Sequence, residues 1–288
     1  MIDSLKAHYP ISRLSTYLQV SRSGYYAWCK EGRPLQKHWD KLLAKKIQII
    51  FDSSFKGYRY IWMQLKRYYN IVVDPKTVLR YMHVLGLRSP IRKKRFKSCT
   101  RQERNKKARQ VSSNFLAREF TSDRPNQKLV TDVSYLYHKS GRLFLSVVKD
   151  LYDNFIVAYH LSKFNDNKLV FDNLDKIFNA SWDSSLTCLL HSDQGFKYTN
   201  RFYHHKLEDY NVTVSHSRKG NCYDNACCEN FFSHLKSESL ELFIPEDEQS
   251  LIQQVEDYIT WYNTDRPQLK LKGMTPLKYR EAYLAALL

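Results

Sequence analysis

Apolar side chains recur at helical spacing through the first third of the chain, then at strand spacing and in short runs through its middle. Leu42, Leu43, Ile47 and Ile50 predict a helix over about 38–53. The stretch from Gly57 to Tyr69 predicts a second helix, and a turn from Asn70 to Asp74 follows. A third helix is expected to begin at Pro75, where a missing N–H costs nothing, and to close on Gly86. Upstream, Leu14, Leu18 and Val20 precede a turn at Ser21–Gly24, with Ser21 placed as an N-cap. That segment fits the second half of a small helix-turn-helix, and equally a helix packed on the next domain.

The pattern changes near Pro125. L129-V-T-D-V-S-Y-L136, L143-F-L-S-V-V148 and F155-I-V-A-Y-H-L161 read as strands, the first two joined by a hairpin turn at Lys139–Arg142. A helix near 166–179, a strand at 186–191, a helix over 199–210, a strand at 211–215 and a helix from about Asp224 complete the run. The order β-β-β-α-β-α-β-α is that of an α/β, ribonuclease-H-like fold: a mixed five-stranded sheet with flanking helices. The last residues hold an amphipathic helix that ends in the stretch from Trp261 to Pro267, then a polar turn and a short helix. The expected division is a helical segment over 1–35, a helix-turn-helix-like domain over 36–90, a basic arm over 91–124, a core over 125–245 and a helical extension over 246–288.

Charge changes the picture. The 288 residues carry 46 Lys+Arg against 29 Asp+Glu, a formal net charge of +17, which favours a polyanionic partner, nucleic acid ahead of an anionic membrane. From Arg88 to Arg109 the cations, among them Arg92, Lys93, Lys94, Arg95 and Lys97, face Glu103 alone. Such a run stays extended in water and lies along phosphates when bound. In the second predicted helix Tyr58, Arg59, Tyr60, Lys66, Arg67 and Tyr69 interleave rings and cations, which suits DNA, although three short helices also make an ordinary bundle. The six cysteines form no CxxC pair and the histidines no zinc spacing; no P-loop and no apolar membrane span occur. The chain reads as a reduced cytoplasmic protein, with no membrane partner.

Three carboxylates stand out. Asp132 sits inside an apolar strand, where an ionised group is costly unless it meets a cation. Asp193 follows a second strand, in H191-S-D-Q-G195, and Glu229 lies on a helix with 35 residues between it and Asp193. Three carboxylates brought from separate elements to one point suit two hard divalent cations, the arrangement that phosphodiester chemistry uses. At about 100° per residue, Asn225, Ser233 and Lys236 share the face of Glu229, whereas Cys227, Cys228, Phe231 and Leu235 form the opposite stripe and Phe232 lies on the border. Lys236 is therefore a candidate for holding the DNA backbone near the carboxylates. The same periodicity also describes a plain solvated helix face. Asp224 points away, His191 reads as core packing and His204-His205 as surface.

At these residues the chain resembles the transposases of the IS-three (insertion sequence three) family, in particular their OrfB product. L129-V-T-D-V-S-Y-L136, H191-S-D-Q-G-F-K-Y-T199, the block from Ser217 to Glu238, the stretch Y-N-T-D-R-P from Tyr262 to Pro267, and Tyr58 to Lys66 match in order and spacing. Leu129 and Gln268 depart from the pattern where an aromatic and a His are usual. The resemblance implies a retroviral-integrase-like core whose Asp, Asp, Glu triad falls on Asp132, Asp193 and Glu229. It also implies two Mg²⁺ ions, for which Mn²⁺ substitutes, and maps the family's basic residue onto Lys236. The implied reaction is cleavage at element ends, then attack of the freed 3′-OH on another phosphodiester. The implied partners are double-stranded DNA (terminal inverted repeats and target), an OrfA product supplied by frameshift fusion, and further copies of the chain on DNA at the bacterial nucleoid. Two other readings remain at this point: a ribonuclease-H-like nuclease that only hydrolyses, and a non-catalytic DNA-binding regulator.

Overall fold

Ser21, Asp40 and Asp74 each turn a side-chain oxygen onto a backbone N–H at the start of a helix. These caps organise the N-terminal unit, Met1–Ile91, of a computed structural model that describes residues 1–32, 39–91, 111–179, 182–219 and 221–287. Its elements are α1 (Ile2–Leu5), α2 (Ile11–Tyr17), α3 (Arg22–Lys30), α4 (Lys41–Ser54), α5 (Tyr58–Tyr69) and α6 (Pro75–Val84). Ser21–Gly24, expected as a turn, is instead the cap and first turn of α3. Ile47, Ile61, Leu65, Val78 and Tyr81 form the core under α4, α5 and α6. Asp74 caps α6 ahead of Pro75, and Gly86, with φ +70°, ends it in the left-handed conformation that a side chain resists. The basic residues Arg92, Lys93, Lys94, Arg95 and Lys97 lie outside the described residues.

The second unit, Arg92–Leu288, is built on a five-stranded sheet of order β3-β2-β1-β4-β5. The strands are β1 (Lys128–His138), β2 (Gly141–Asp150), β3 (Ile156–Ser162), β4 (Cys188–Ser192) and β5 (Val212–His216). The two hairpin-linked pairs are antiparallel, and β4 runs parallel to both β1 and β5. Alternation along β1 sends Leu129 and Val130 to opposite faces. Leu129 joins Val170, Leu174, Tyr203 and Leu207 beneath α7 (Asn167–Asp175) and α8 (Arg201–Glu208). Val130 joins Phe231, Leu235, Leu251, Val255 and Tyr262 beneath α9 (Ala226–Leu235) and α10 (Glu248–Thr264). A mixed sheet covered by helices on both faces is the ribonuclease-H-like arrangement. The last helix, α11 (Pro276–Ala285), is capped by Thr275.

Two local features hold the edges. Asn263 on α10 accepts from the Ile156 N–H at 2.9 Å and donates to the Ile156 carbonyl at 3.1 Å, so a side chain stands in for a further strand beside β3. Arg280 donates to Asp153 at 2.6 Å and to Asp150 at 2.6 Å, pinning α11 to the end of β2. His204, expected at the surface, is buried against His216, with ring centroids 5.5 Å apart, because α8 turns that residue toward β5.

Candidate active site

The sheet register places the first two carboxylates. β1 and β4 pair only from Lys128↔Leu189 to Val130↔His191. Asp132 and Asp193 each lie two residues beyond that last pair, at matching heights where the two parallel strands part. Neighbouring strands are about 4.8 Å apart, so the two side chains are neighbours, Asp132 midway along β1 and Asp193 just past the carboxyl end of β4, where ligands bind in such sheets. Asp132 Oδ1 accepts from the Val133 N–H at 2.8 Å. Asp193 Oδ1 accepts from the Gly195 N–H at 2.8 Å. A Cβ at residue 195 would stand 2.8 Å from that same oxygen, so only glycine lets the backbone approach the carboxylate.

The third carboxylate comes from a helix that covers one face of the sheet. Glu229 lies in the exposed first turn of α9, whose buried stripe is Cys228, Phe231, Phe232 and Leu235. Three contacts fix α9 on the sheet. Asn225 Nδ2 donates to the Thr131 carbonyl at 3.3 Å, Lys149 Nζ to the Cys227 carbonyl at 3.1 Å, and Lys236 Nζ to Ser134 Oγ at 2.7 Å. Lys236 opens a π-helical turn, Lys236–Leu240, and its ammonium lies 4.8 Å from the centre of the Tyr135 ring. Burial pulls the Lys236 pKa down while Asp132 and Glu241 pull it up, so this cation faces the same carboxylate that the others crowd.

Electrostatics couples these groups to Asp132. Asp132 is pushed up to about 7, first by burial, next by the charge of Asp193, and also by Glu229; the Val133 N–H and Lys197 act the other way. Lys197 is itself buried and facing Asp193 and Asp132, with its pKa lowered by desolvation. Tyr198 beneath them is raised far above its usual value by burial and by the same two aspartates. Neither Lys197 nor Tyr198 stood out from the sequence. The run F196-K-Y198 inside the motif after Asp193 was the available signal.

The donor set fits a hard divalent cation: oxygen ligands whose mutual repulsion a cation relieves. Among the described residues, no group of three or more His, Cys, Asp and Glu side chains converges on one point. Of the other residues noted above, His191 is buried and makes hydrogen bonds from both nitrogens, to Ser215 at 2.8 Å and Ser217 at 3.0 Å. Burial pushes its pKa down to about 4, so it is a neutral core group. Asp224 is fully buried and accepts from Arg118, Arg218 and Asn114, away from the carboxylate cluster. Arg59 and Lys66 are exposed on α5, and Arg67 stacks over Tyr68 at 5.0 Å.

Residues 122–222 and 229–284 match the family described as integrase core domain, and residues 37–95 match an HTH-like domain. The chain is 36% identical to the putative transposase InsK for insertion sequence element IS150 of Escherichia coli (strain K12), over 97% of this chain and 96% of that protein. The chain belongs to the IS-three family of insertion-sequence transposases. It is also 30% identical to the transposase InsF for insertion sequence IS3fB of the same organism, over 99% of this chain and 98% of that one. Among solved structures, the HTLV-2 integrase catalytic core domain in complex with magnesium is similar at a TM-score of 0.43 and 14% identity, over 55% of this chain and 97% of that one. This transposase therefore pairs an HTH-like domain, α4 to α6, with an integrase core on the five-stranded sheet. Among the described residues, no helix is long and apolar enough to cross a membrane.

Proposed function

We propose that this transposase is a metal-dependent polynucleotidyl transferase that cleaves the ends of its element and joins the freed 3′-OH to target DNA. One observation carries the reading: Asp132, lifted to about 7, feels Asp193 and Glu229 together where β4 parts from β1. A carboxylate crowded by two others and removed from water is relieved by a divalent cation. Asp132 and Asp193 serve as the fixed ligands, because strand register sets their positions. Glu229 would join them from the solvent side of α9 when metal binds, since the three side chains do not converge on one point without it. Two Mg²⁺ ions, or Mn²⁺ in their place, would supply charge neutralisation at the phosphodiester and an acidified attacking hydroxyl.

The chain's own residues do the rest. Lys197 offsets the repulsion between the aspartates. Lys236, held between Ser134 and Tyr135, positions a DNA phosphate beside them. Arg59, Lys66 and Arg67 on α5, with the basic run Arg92, Lys93, Lys94, Arg95 and Lys97, contact phosphates, so affinity falls steeply with salt. Assembly with an OrfA-type product and with further copies of the chain on element ends, in the bacterial cytoplasm, belongs to the same reading.

The test is a strand-transfer assay with labelled element-end DNA and Mg²⁺, using the chain alone and fused to an OrfA-type partner. Joined products should appear in one form and vanish in Asp132→Asn, Asp193→Asn and Glu229→Gln, with DNA affinity within about threefold of the parent. Hydrolysis without joining would leave a nuclease, and binding without either product a regulator.

A further inference from the structure

We propose that residues 11–30 form a second DNA reader, in which α3 enters the major groove of duplex DNA. The proposal rests on the reading that this transposase binds its element ends. The matched HTH-like domain begins at residue 37, so this segment lies outside it.

The connection between α2 and α3 has the length and capping of a helix-turn-helix. α2 ends at Tyr17, and the Val20 N–H closes back on the Ser15 carbonyl at 2.9 Å. Gln19 adopts φ +53°, the left-handed conformation that this reversal demands and that glycine commonly supplies. Ser21 then caps α3 by accepting from the Gly24 N–H at 3.3 Å. Four residues, Leu18 to Ser21, thus separate the two helices, the short turn the motif uses. Ile2, Leu14 and Tyr25 form the small core beneath, with Leu18, Trp28 and Cys29 packed on it. The Tyr25 hydroxyl donates to Asp3 Oδ1 at 3.1 Å, which ties α3 down.

The outward face of α3 carries the chemistry. Arg22, Tyr26 and Lys30 follow one another at spacings of four residues, which places them in line along the helix. All three are exposed, Tyr26 by 51%. The helix contains no acidic residue. A helix used only for packing would turn an apolar face outward to its neighbour; this one presents a guanidinium, a phenol and an ammonium. The first-turn residues of a recognition helix meet base edges, a role Arg22 and Ser23 fit, and a cation at the far end meets a phosphate, which fits Lys30. Tyr26 between them offers an apolar ring to a thymine methyl and a hydroxyl to the backbone.

The experiment is footprinting and salt-dependent binding of the full chain on a duplex of the element's own terminal repeat, against a duplex of unrelated sequence. Replacing Arg22, Tyr26 and Lys30 together by Ala should weaken specific binding at least about tenfold, reduce the salt slope by about one to two, and remove one block of the footprint. Arg59→Ala with Lys66→Ala should remove a different block. Single Arg22→Glu and Lys30→Glu changes, at exposed positions, should act in the same direction with the melting temperature preserved, so they decide the matter if the triple variant unfolds. A parent footprint that survives in every α3 variant overturns this inference alone. A parent that protects no element end overturns the reading under Proposed function and this one with it.

Discussion

Asp224 accepts from the Arg218 guanidinium at 2.9 and 2.8 Å, five residues ahead of Glu229. The Arg118 guanidinium adds a third bond at 2.8 Å, and Asn114 a fourth at 3.0 Å. Together they hold the Asp224 carboxyl well below the usual carboxylate range, the hydrogen bonds of Arg218 acting most strongly. The carboxylate is fully covered, but by two guanidiniums that are themselves 57% and 45% exposed. Its loss therefore leaves cations that water can reach. Asp224→Ala is expected to cost about 2 kcal/mol in urea unfolding, and Arg118→Ala or Arg218→Ala distinctly less. Arginine variants as costly as Asp224→Ala would show that the carboxylate has no second partner to fall back on.

Lys197 offers a test of the crowded carboxylates that needs no DNA. Lys197→Met removes the cation that lowers the Asp132 pKa, so the metal-free protein should melt about 2–4 °C lower. In saturating Mg²⁺ the gap should narrow, because the ions take over the offset. The same gap with and without Mg²⁺ would place the metal elsewhere.

Asn263→Ala leaves the N–H and carbonyl of Ile156 without their side-chain partner at the sheet edge. A loss of about 2 kcal/mol is expected, together with faster hydrogen exchange at Ile156. Asn263→Asp keeps only the acceptor and should fall between. Unchanged exchange at Ile156 in both variants would count against a role for this residue at the edge.

His216 sets an acid limit. Its Nδ1 accepts from the Ser112 N–H at 2.9 Å and its Nε2 donates to the Tyr198 carbonyl at 3.0 Å, so the neutral ring is the folded form. Burial lowers its pKa and the His204 ring adds to this, while the Tyr198 carbonyl and Asp193 oppose. A histidine depressed in the folded state is protonated first in the unfolded chain, so stability falls as pH drops below about 6.5. His191, pushed down to about 4, has the same sign and persists in a His216 variant. His216→Gln should flatten part of the loss between pH 7 and 5, measured by urea midpoints. A parallel curve would mean that the ring contributes nothing to the slope.

Period-two alternation and cap residues made the strands and most helices legible, because those rules act within one element. Alternation is of this kind: it alone sends Leu129 and Val130 to opposite faces of the sheet. Asp132 stood out for a different reason: an Asp inside an apolar strand contradicts its surroundings and asks for a cation, whereas Asp193 and Glu229 were marked by their spacing and by the resemblance. The partners of Asp224 were not legible, since Arg118 and Asn114 lie more than a hundred residues away and no periodicity links them to it. Lys197 escaped for a related reason. In a chain with 46 Lys+Arg, one buried lysine looks like any other until the fold covers it. His204 was misplaced because neighbouring histidines on a polar helix carry no sign of which one faces β5.

The ring of Phe231 lies 5.1 Å from that of Tyr262, so α9 rests on α10, a helix from further along the chain. Asp132 and Asp193 take their places from strand register, whereas Glu229 takes its place from a helix that α10 supports. Damage to α10 would therefore be felt at Glu229 before either aspartate, although no residue of α10 belongs to the proposed site.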